Sequence, residues 1–388
     1  MKFVNPILLI AIGLLARGLI SAQTWTLTSA PTANWYSVAS SADGKKLVAV
    51  IGGQFSTGQI YTSTNAGINW TLTAALTRHW NSVASSADGG KLIAVGFGEG
   101  IYTSTNFGNT WLSNSLPNSS SWSTAAVSAD GNVLVVAAQK GLLYISTNSG
   151  AVWTQVTNVP NLLWDSVACS ADGRKLVVVA NTAYCISTNA GLNWLSNSVP
   201  SGHLLAAAYS VTGNMLVLVA GINFGPVYVS TNAGSAFQAQ ANAPGAAWRS
   251  VASSADGKSL AAIGANNGVW IYTSTNSGAS WVASNLQNLS WRSIATSADG
   301  KRLVAVVNGG GIYTFQTTPS PQLNLAPSPT SLMLGWTIPS TNFVLQQSSN
   351  LISWTDLTNQ PVLNLTSLQN EVAFPPSNTS GFYRLKTP

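Results

Sequence analysis

The stretch IYTSTNAGINWTLT, from Ile60 to Thr73, returns nearly unchanged as IYTSTNFGNTWLSN from Ile101 to Asn114. Its kernel, Ser-Thr-Asn-x-Gly, occurs six times, with the asparagine at Asn65, Asn106, Asn148, Asn189, Asn232 and Asn276. The steps between these asparagines are 41, 42, 41, 43 and 44 residues. Three residues after each glycine stands an aromatic side chain: Trp70, Trp111, Trp153, Trp194, Phe237 and Trp281. Alternating apolar residues flank the kernel, so it reads as a turn between two strands. Asn accepts hydrogen bonds from N–H groups of its own turn, and Gly tolerates positive φ, so every turn of this kind needs the same residues. A period of about 40 residues with several strands per unit is the pattern of propeller blades.

A second repeat lies between these turns. WYSVASSADGKKLVAV begins at Trp35, with relatives at Trp80, Trp122, Trp164, Trp248 and Trp291. A worn copy has Leu204 in the Trp place and SVTG at Ser210 in place of SADG. This element therefore has seven copies against six of the other. The last unit ends at GIYTF, Phe315, without a fourth strand, while TWTLT from Thr24 matches NWTLT after the first turn. The N-terminal strand is expected to complete the last sheet and close the ring, which also hides sheet edges. The fold class is all-β: a seven-bladed β-propeller over residues 23–316, closed three-plus-one, and then a small β-sandwich over residues 321–388. A Pro-containing linker at residues 317–320 joins the two.

The kernel S-x-N-x-G-x-x-W resembles the Asp-box, S-x-D-x-G-x-x-W, of sialidase-type BNR repeats, with Asn in the Asp place in all six copies. The resemblance covers about residues 24–316 and implies a structural turn between the third and fourth strands of each blade. Asp-boxes occur in enzymes, sorting receptors and assembly factors, and the propeller also resembles the photosystem II assembly factor type. The resemblance therefore speaks for a scaffold, not an activity. Asn in the Asp place disfavours calcium coordination at these turns. FVLQQSSNLISWTDL, from Phe343, with the later FYRL looks like the small fibronectin-III-like tails of secreted bacterial proteins.

Composition narrows the class. Of 388 residues 46% are hydrophobic and 15 are Trp, which excludes a disordered chain. Lys2, the apolar-biased run Phe3–Ala16 and LISA before Gln23 read as a signal peptide over residues 1–22, too short for a membrane span. No membrane insertion is expected after its removal, and the exported chain would be secreted, periplasmic or on the cell surface. Without Lys2 and Arg17, 14 basic residues stand against 10 acidic ones. Eight of the basic residues and six aspartates follow or belong to the SADG turns, so they read as a solvated mixed ring. No basic stripe with interleaved aromatics appears, so no nucleic acid is expected as a partner. Cys169 and Cys185 fall on the first and third strands of one unit, about 9.5 Å apart, too far for a disulfide. Both read as small buried residues. A monomer is expected.

Both repeated turns fall on one face of the disc. The other face carries the variable loops, where specificity is usually built. The residue after each leading aromatic reads Tyr36, Asn81, Ser123, Asp165, Leu205, Arg249 and Arg292, and Arg78, His79, Glu99 and His203 join them. Tyr36, Arg78, Glu99, Asp165, Arg249 and Arg292 are the candidate binding residues, with Arg249 and Arg292 on adjacent blades and able to share a carboxylate. As a sialidase, the chain would use three arginines, a Tyr–Glu nucleophile pair and an Asp acid/base. These residues match by type, without a local motif, and seven units exceed the sialidase fold's six. Glu99 sits in a glycine-rich loop with no evident orienting partner, and His79 and His203 have no metal-ligand spacing. No catalytic set, metal or cofactor is assigned. The expected ligand is a glycan or an extracellular protein, with a sialidase-like glycoside hydrolase as the alternative.

Overall fold

A computed structural model describes residues 25–316, apart from 115, 117–120, 140, 222–223, 285 and 287–288. Beyond them it describes 323–328, 331–337, 344–357, 362–364, 369–374 and 382–386. The segments expected to be a signal peptide, 1–22, and a linker, 317–320, lie outside the described residues. One compact unit runs from Gln23 to Gln316, and residues 317–388 belong to a second.

The first compact unit is a β-propeller of four-stranded antiparallel sheets, each built in chain order. In the second repeat Trp80–Ser85 pairs with Leu92–Gly96, which pairs with Ile101–Ser104, which pairs with Leu112–Asn114. In the last repeat Trp291–Thr296, Arg302–Gly310 and Ile312–Gln316 pair in order, and Trp25–Leu27 adds the fourth strand. Trp25 lies opposite Phe315 and Leu27 opposite Tyr313. The second strands, such as LVAVI from Leu47 and LVVVA from Leu176, are continuous apolar runs because both of their faces are covered by neighbouring sheets.

Each hydrophobic cluster of this unit takes residues from two consecutive sheets. Val48, Val50 and Ile60 meet Trp80, Val83 and Leu92, and Trp35, Val38 and Leu47 meet Val304, Val306 and Ile312. The leading tryptophans are fully buried. Trp35, Trp80, Trp122, Trp248 and Trp291 each stand edge-on to a Tyr of their own sheet, as Trp80 does to Tyr102 at 5.1 Å and 81°. The aromatics after the Asn turns are less buried than the leading ones. Trp70, Trp111 and Trp153 are only half-buried at the outer margin of their clusters.

A cycle of backbone hydrogen bonds runs around the axis. The N–H of Ala42 donates to Ala87, and the chain continues through Ala129, Ala171, Val211, Ala255 and Ala298 back to Ala42, at 2.7–3.1 Å. Below it each SADG turn is locked by its own serine. Ser41 Oγ donates to Asp43 Oδ1 at 2.6 Å and accepts from Lys46 N at 3.0 Å, while Lys45 N donates to the same carboxylate at 3.0 Å. These hydrogen bonds hold Asp43, Asp88, Asp130 and Asp256 below the usual carboxylate range, the serine hydroxyl contributing most. At Asp172 and Asp299 desolvation is the largest influence and pushes upward, but the hydrogen bonds outweigh it.

A carboxyl with a depressed folded pKa stabilises the fold above its unfolded pKa and stops doing so as pH falls through the folded value. Six such turns titrate together, so the propeller should lose stability steeply below about pH 4. Asp→Asn at one turn should flatten that slope in a thermal-unfolding series against pH.

The Ser-Thr-Asn-x-Gly turn uses the same device. Ser63 Oγ donates to Asn65 Oδ1 and accepts from Gly67 N, both at 3.0 Å, and Asn69 N donates to Asn65 Oδ1 at 2.9 Å. Both Ala66 and Gly67 have positive φ, 57° and 89°. Ala66 N also donates to Lys45 O at 2.8 Å, which ties this turn to the SADG turn of its own sheet.

The basic residues on this face are not merely solvated. Lys46 Nζ donates to Asp88 O, Lys91 Nζ to Asn132 and Ser149, Lys175 Nζ to Thr212 and Asn214, and Arg302 Nη1 to Asp43 O. Each reaches the turn of the next unit, and Arg302 reaches that of the first.

In the C-terminal unit, Leu323–Ser328, Ser331–Thr337, Gln369–Phe374 and Val362–Asn364 form one antiparallel sheet. Thr355–Asp356, Val344–Ser348 and Phe382–Lys386 form another. Leu334 and Val372 of the first meet Leu345 of the second in a small core. The turn after Ser348 resembles the propeller's Asn turns. Asn350 Oδ1 accepts from Ile352 N and Ser353 N at 3.0 and 2.9 Å, and Leu351 has φ 62°.

Candidate functional site

The face opposite the repeated turns is shaped by a shared irregularity. Six inner strands change register just after their leading residue, between Trp35 and Ser37, Trp80 and Ser82, Trp122 and Thr124, Leu204 and Ala206, Trp248 and Ser250, and Trp291 and Ser293. The extra residue of each bulge is Tyr36, Asn81, Ser123, Leu205, Arg249 or Arg292. A bulge leaves one residue unpaired and re-aims its side chain, so these positions are freed from the ladder. In the fourth unit the strand proper begins at Ser166, and Asp165 N donates to Val179 O.

The freed side chains have different employments. Asn81 Nδ2 donates to Trp122 O at 2.8 Å and Ser123 Oγ to Trp164 O at 2.8 Å, so both tie one unit to the next. Tyr36 packs against the backbone of Gly53, where an added Cβ would lie 2.7 Å from the ring. The Arg292 guanidinium stands over the Tyr36 ring, 4.1 Å from its centre, and hydrogen-bonds the Tyr36 hydroxyl. Tyr36 and Arg292 come from the first and last units, so this pair spans the closure. Arg249 is exposed and makes no ion pair among the described residues.

Three expectations need correction. Glu99 does have orienting partners: Arg78 Nε lies 3.1 Å from Oε2 and His79 Nδ1 lies 3.5 Å from Oε1. Arg78 is thus engaged, and it is not free to join Arg249 and Arg292. Its Nε also donates to Tyr102 OH at 3.3 Å; this bond, ahead of the pull of Glu99, raises the guanidinium pKa. The histidines are not isolated either, since His203 Nε2 lies 2.9 Å from Asp165 Oδ2. Burial pushes the Asp165 carboxyl up, against the hydrogen bond from His203. Sequence reasoning placed both histidines on this face and weighed them as metal ligands, without pairing them to the carboxylates. One signal was available: His79 and His203 occupy the same repeat position, one residue before Trp80 and Leu204.

A cavity of about 170 Å³ lies on the axis at the other end, ringed by Ala42, Ala87, Ala129, Ala171, Val211, Ala255 and Ala298. Cys169 lines it and is largely buried against the core of its sheets, and Cys185 is fully buried. Burial pushes the Cys169 thiol up to about 12, so it is a poor nucleophile. No charged side chain lines this cavity. Among the described residues no cluster of three metal-ligating side chains occurs.

The propeller fold recurs in known structures. The chain is similar to YCF48 from Cyanidioschyzon merolae, at 14% identity and a TM-score of 0.58, over 75% of this chain and 98% of that one. A structure of YCF48 bound to D1 peptide matches with the same identity and TM-score, over 77% of this chain and 97% of that one. The GH74 xyloglucanase from Xanthomonas campestris matches at 16% identity and a TM-score of 0.60, over 81% of this chain but 59% of that chain. At these identities the likeness establishes the propeller fold alone. No protein-family model and no curated protein sequence matches the chain.

Proposed function

We propose that the chain is an exported, non-catalytic binding protein. Residues 1–22 act as the export signal and residues 23–316 form a seven-bladed propeller of Asp-box type closed by the N-terminal strand. Residues 317–320 link it to a small fibronectin-III-like sandwich at 321–388, which spaces or attaches it. The hydrogen-bond cycle through Ala42 and Ala298 and the pairing of Trp25 with Phe315 support this count and closure.

The funnel face binds a glycan or an extracellular protein. One observation carries the reading: both carboxylates of this face are already held, Glu99 by Arg78 and His79 and Asp165 by His203. Arg249 stands exposed, and Arg292 is fixed on Tyr36, ready to meet an anionic group of the ligand. The fold neighbour bound to a peptide supports a protein ligand. The xyloglucanase neighbour favours a second reading, a glycoside hydrolase acting on extracellular glycans. That chemistry needs two carboxyl groups about 5–9.5 Å apart in acid and base or nucleophile roles.

The two readings separate in one comparison. Glycan-array binding and hydrolysis of fluorogenic glycosides are measured on the wild type, on Arg249→Ala/Arg292→Ala and on Glu99→Gln. Binding without turnover, weakened at least about tenfold in the arginine variant, is the expected result. Turnover abolished by Glu99→Gln would replace the binding reading with the hydrolase.

A further inference from the structure

The axial cavity of about 170 Å³ has a wall of two chemical halves. Two residues before each member of the backbone hydrogen-bond cycle stands one wall residue. Before Ala255, Ala298, Ala42 and Ala87 these are Ser253, Thr296, Ser40 and Ser85, which follow one another around the axis. Before Ala129, Ala171 and Val211 they are Val127, Cys169 and Tyr209. One arc therefore bears hydroxyls and the other is largely apolar. Inner strands spaced about 4.8 Å apart around that seven-membered cycle make a ring about 11 Å across between backbones, which admits one aliphatic chain.

Each hydroxyl of the polar arc has its proton committed. Ser40 Oγ donates to Ser41 O at 2.9 Å, and Ser85 Oγ, Ser253 Oγ and Thr296 Oγ1 donate to Ser86 O, Ser254 O and Ser297 O at 3.1 Å. A hydroxyl has one donor and two acceptor lone pairs, so this arc offers acceptors and no donors. The N–H groups of the cycle are likewise spent on neighbouring carbonyls. On the other arc Tyr209 is about nine-tenths buried, and its hydroxyl has no hydrogen-bond partner among the described residues. After burial, the charges of Asp172 and Asp130 are what raise the Cys169 thiol, so a negative potential reaches the wall. The basic side chains of this face are turned elsewhere: Lys46 Nζ donates to Asp88 O and Lys175 Nζ to Thr212 O, and none lines the cavity.

We propose that this cavity is a socket for a primary alkylammonium group, as carried by a partner's lysine side chain or by a free amine. An ammonium has three donors and no acceptor, the complement of an acceptor-only arc. A buried charge is costly unless it is paired and hydrogen-bonded, and the hydroxyl oxygens with the aspartate field meet that need. The aliphatic stem packs on Val127 and Cys169 while the head reaches the polar arc, the usual division of a long cationic side chain. An anion would meet lone pairs alone. The socket lies at the end opposite the variable face and does not depend on the binding reading above.

The test is calorimetric titration of the full chain at neutral pH with n-butylammonium chloride, with n-butanol as the neutral control. The amine should bind at least about tenfold more tightly than the alcohol, the difference expected of hydrogen bonds to a charged group. Ser40→Ala/Thr296→Val removes two acceptors at little change in volume. It should weaken the amine about tenfold and leave the alcohol unchanged, with an unfolding midpoint near that of the wild type. The wild-type ratio of amine to alcohol decides the matter even if the variant unfolds. N-acetyl-lysine amide separates the two sources: affinity equal to that of butylammonium assigns the socket to a partner's lysine, and exclusion assigns it to a free amine. Alcohol bound as tightly as amine, amine binding indifferent to the two hydroxyls, displacement of the amine by equimolar potassium, or a wild type that takes up no amine overturns the proposal.

Discussion

Trp291→Ala is expected to lower the unfolding midpoint of the propeller by about 6–20 °C. Its side chain is fully buried where the last sheet meets the N-terminal strand, 6.0 Å from the Trp25 ring and 5.1 Å from Tyr313. Removing a buried Trp side chain costs about 3–5 kcal/mol, and in domains of this size each kcal/mol moves the midpoint by about 2–4 °C. The effect should exceed that of an equal truncation elsewhere for a second reason. Trp25–Leu27 is only three residues long, and it covers the edge of Ile312–Gln316 through the cluster that Trp291 anchors. Losing the anchor exposes that edge to pairing with other chains. Calorimetry with light scattering tests both parts. A midpoint within 2 °C of wild type, with no added scattering, would show that the closing sheet does not limit stability.

Gly67→Ala should be nearly as damaging, by about 2–5 kcal/mol. Gly67 has φ 89°, and an added Cβ would lie 2.7 Å from Thr314 Cγ2 on the last sheet. Backbone strain and a steric clash across the closure therefore act together. Gly98→Ala supplies the control, since Gly98 has φ 66° and nothing within 4 Å of the added Cβ. It should show the strain alone, about 1 kcal/mol. Denaturant titrations of the two variants yield the difference. Equal losses would mean that the clash is relieved by a small shift of Thr314.

Most of the scaffold was legible because its causes are local. Asn65 and its five equivalents accept N–H groups of their own turns, so the need for Asn is written into each copy. The alternation around IYTS and the apolar run LVAVI reveal which strands are flanked on both faces. The role of Lys46, Lys91, Lys175 and Arg302 was not legible. They look like ordinary surface charges until the next unit's turn is placed beneath them.

At the variable face the sequence picked residues by type and by repeat position, and the bulges explain why that position is special. It missed the pairings, because Glu99 and Arg78 belong to different loops and Asp165 and His203 lie 38 residues apart. The sequence alone thus determined the repeating unit and both of its turns, since short-range hydrogen bonds and strand periodicity dictate them. Only the tertiary structure decided that Arg292 rests on Tyr36 and that each histidine meets a carboxylate. Those contacts arise between loops that the sheets bring together, and no local rule specifies which side chains then face each other.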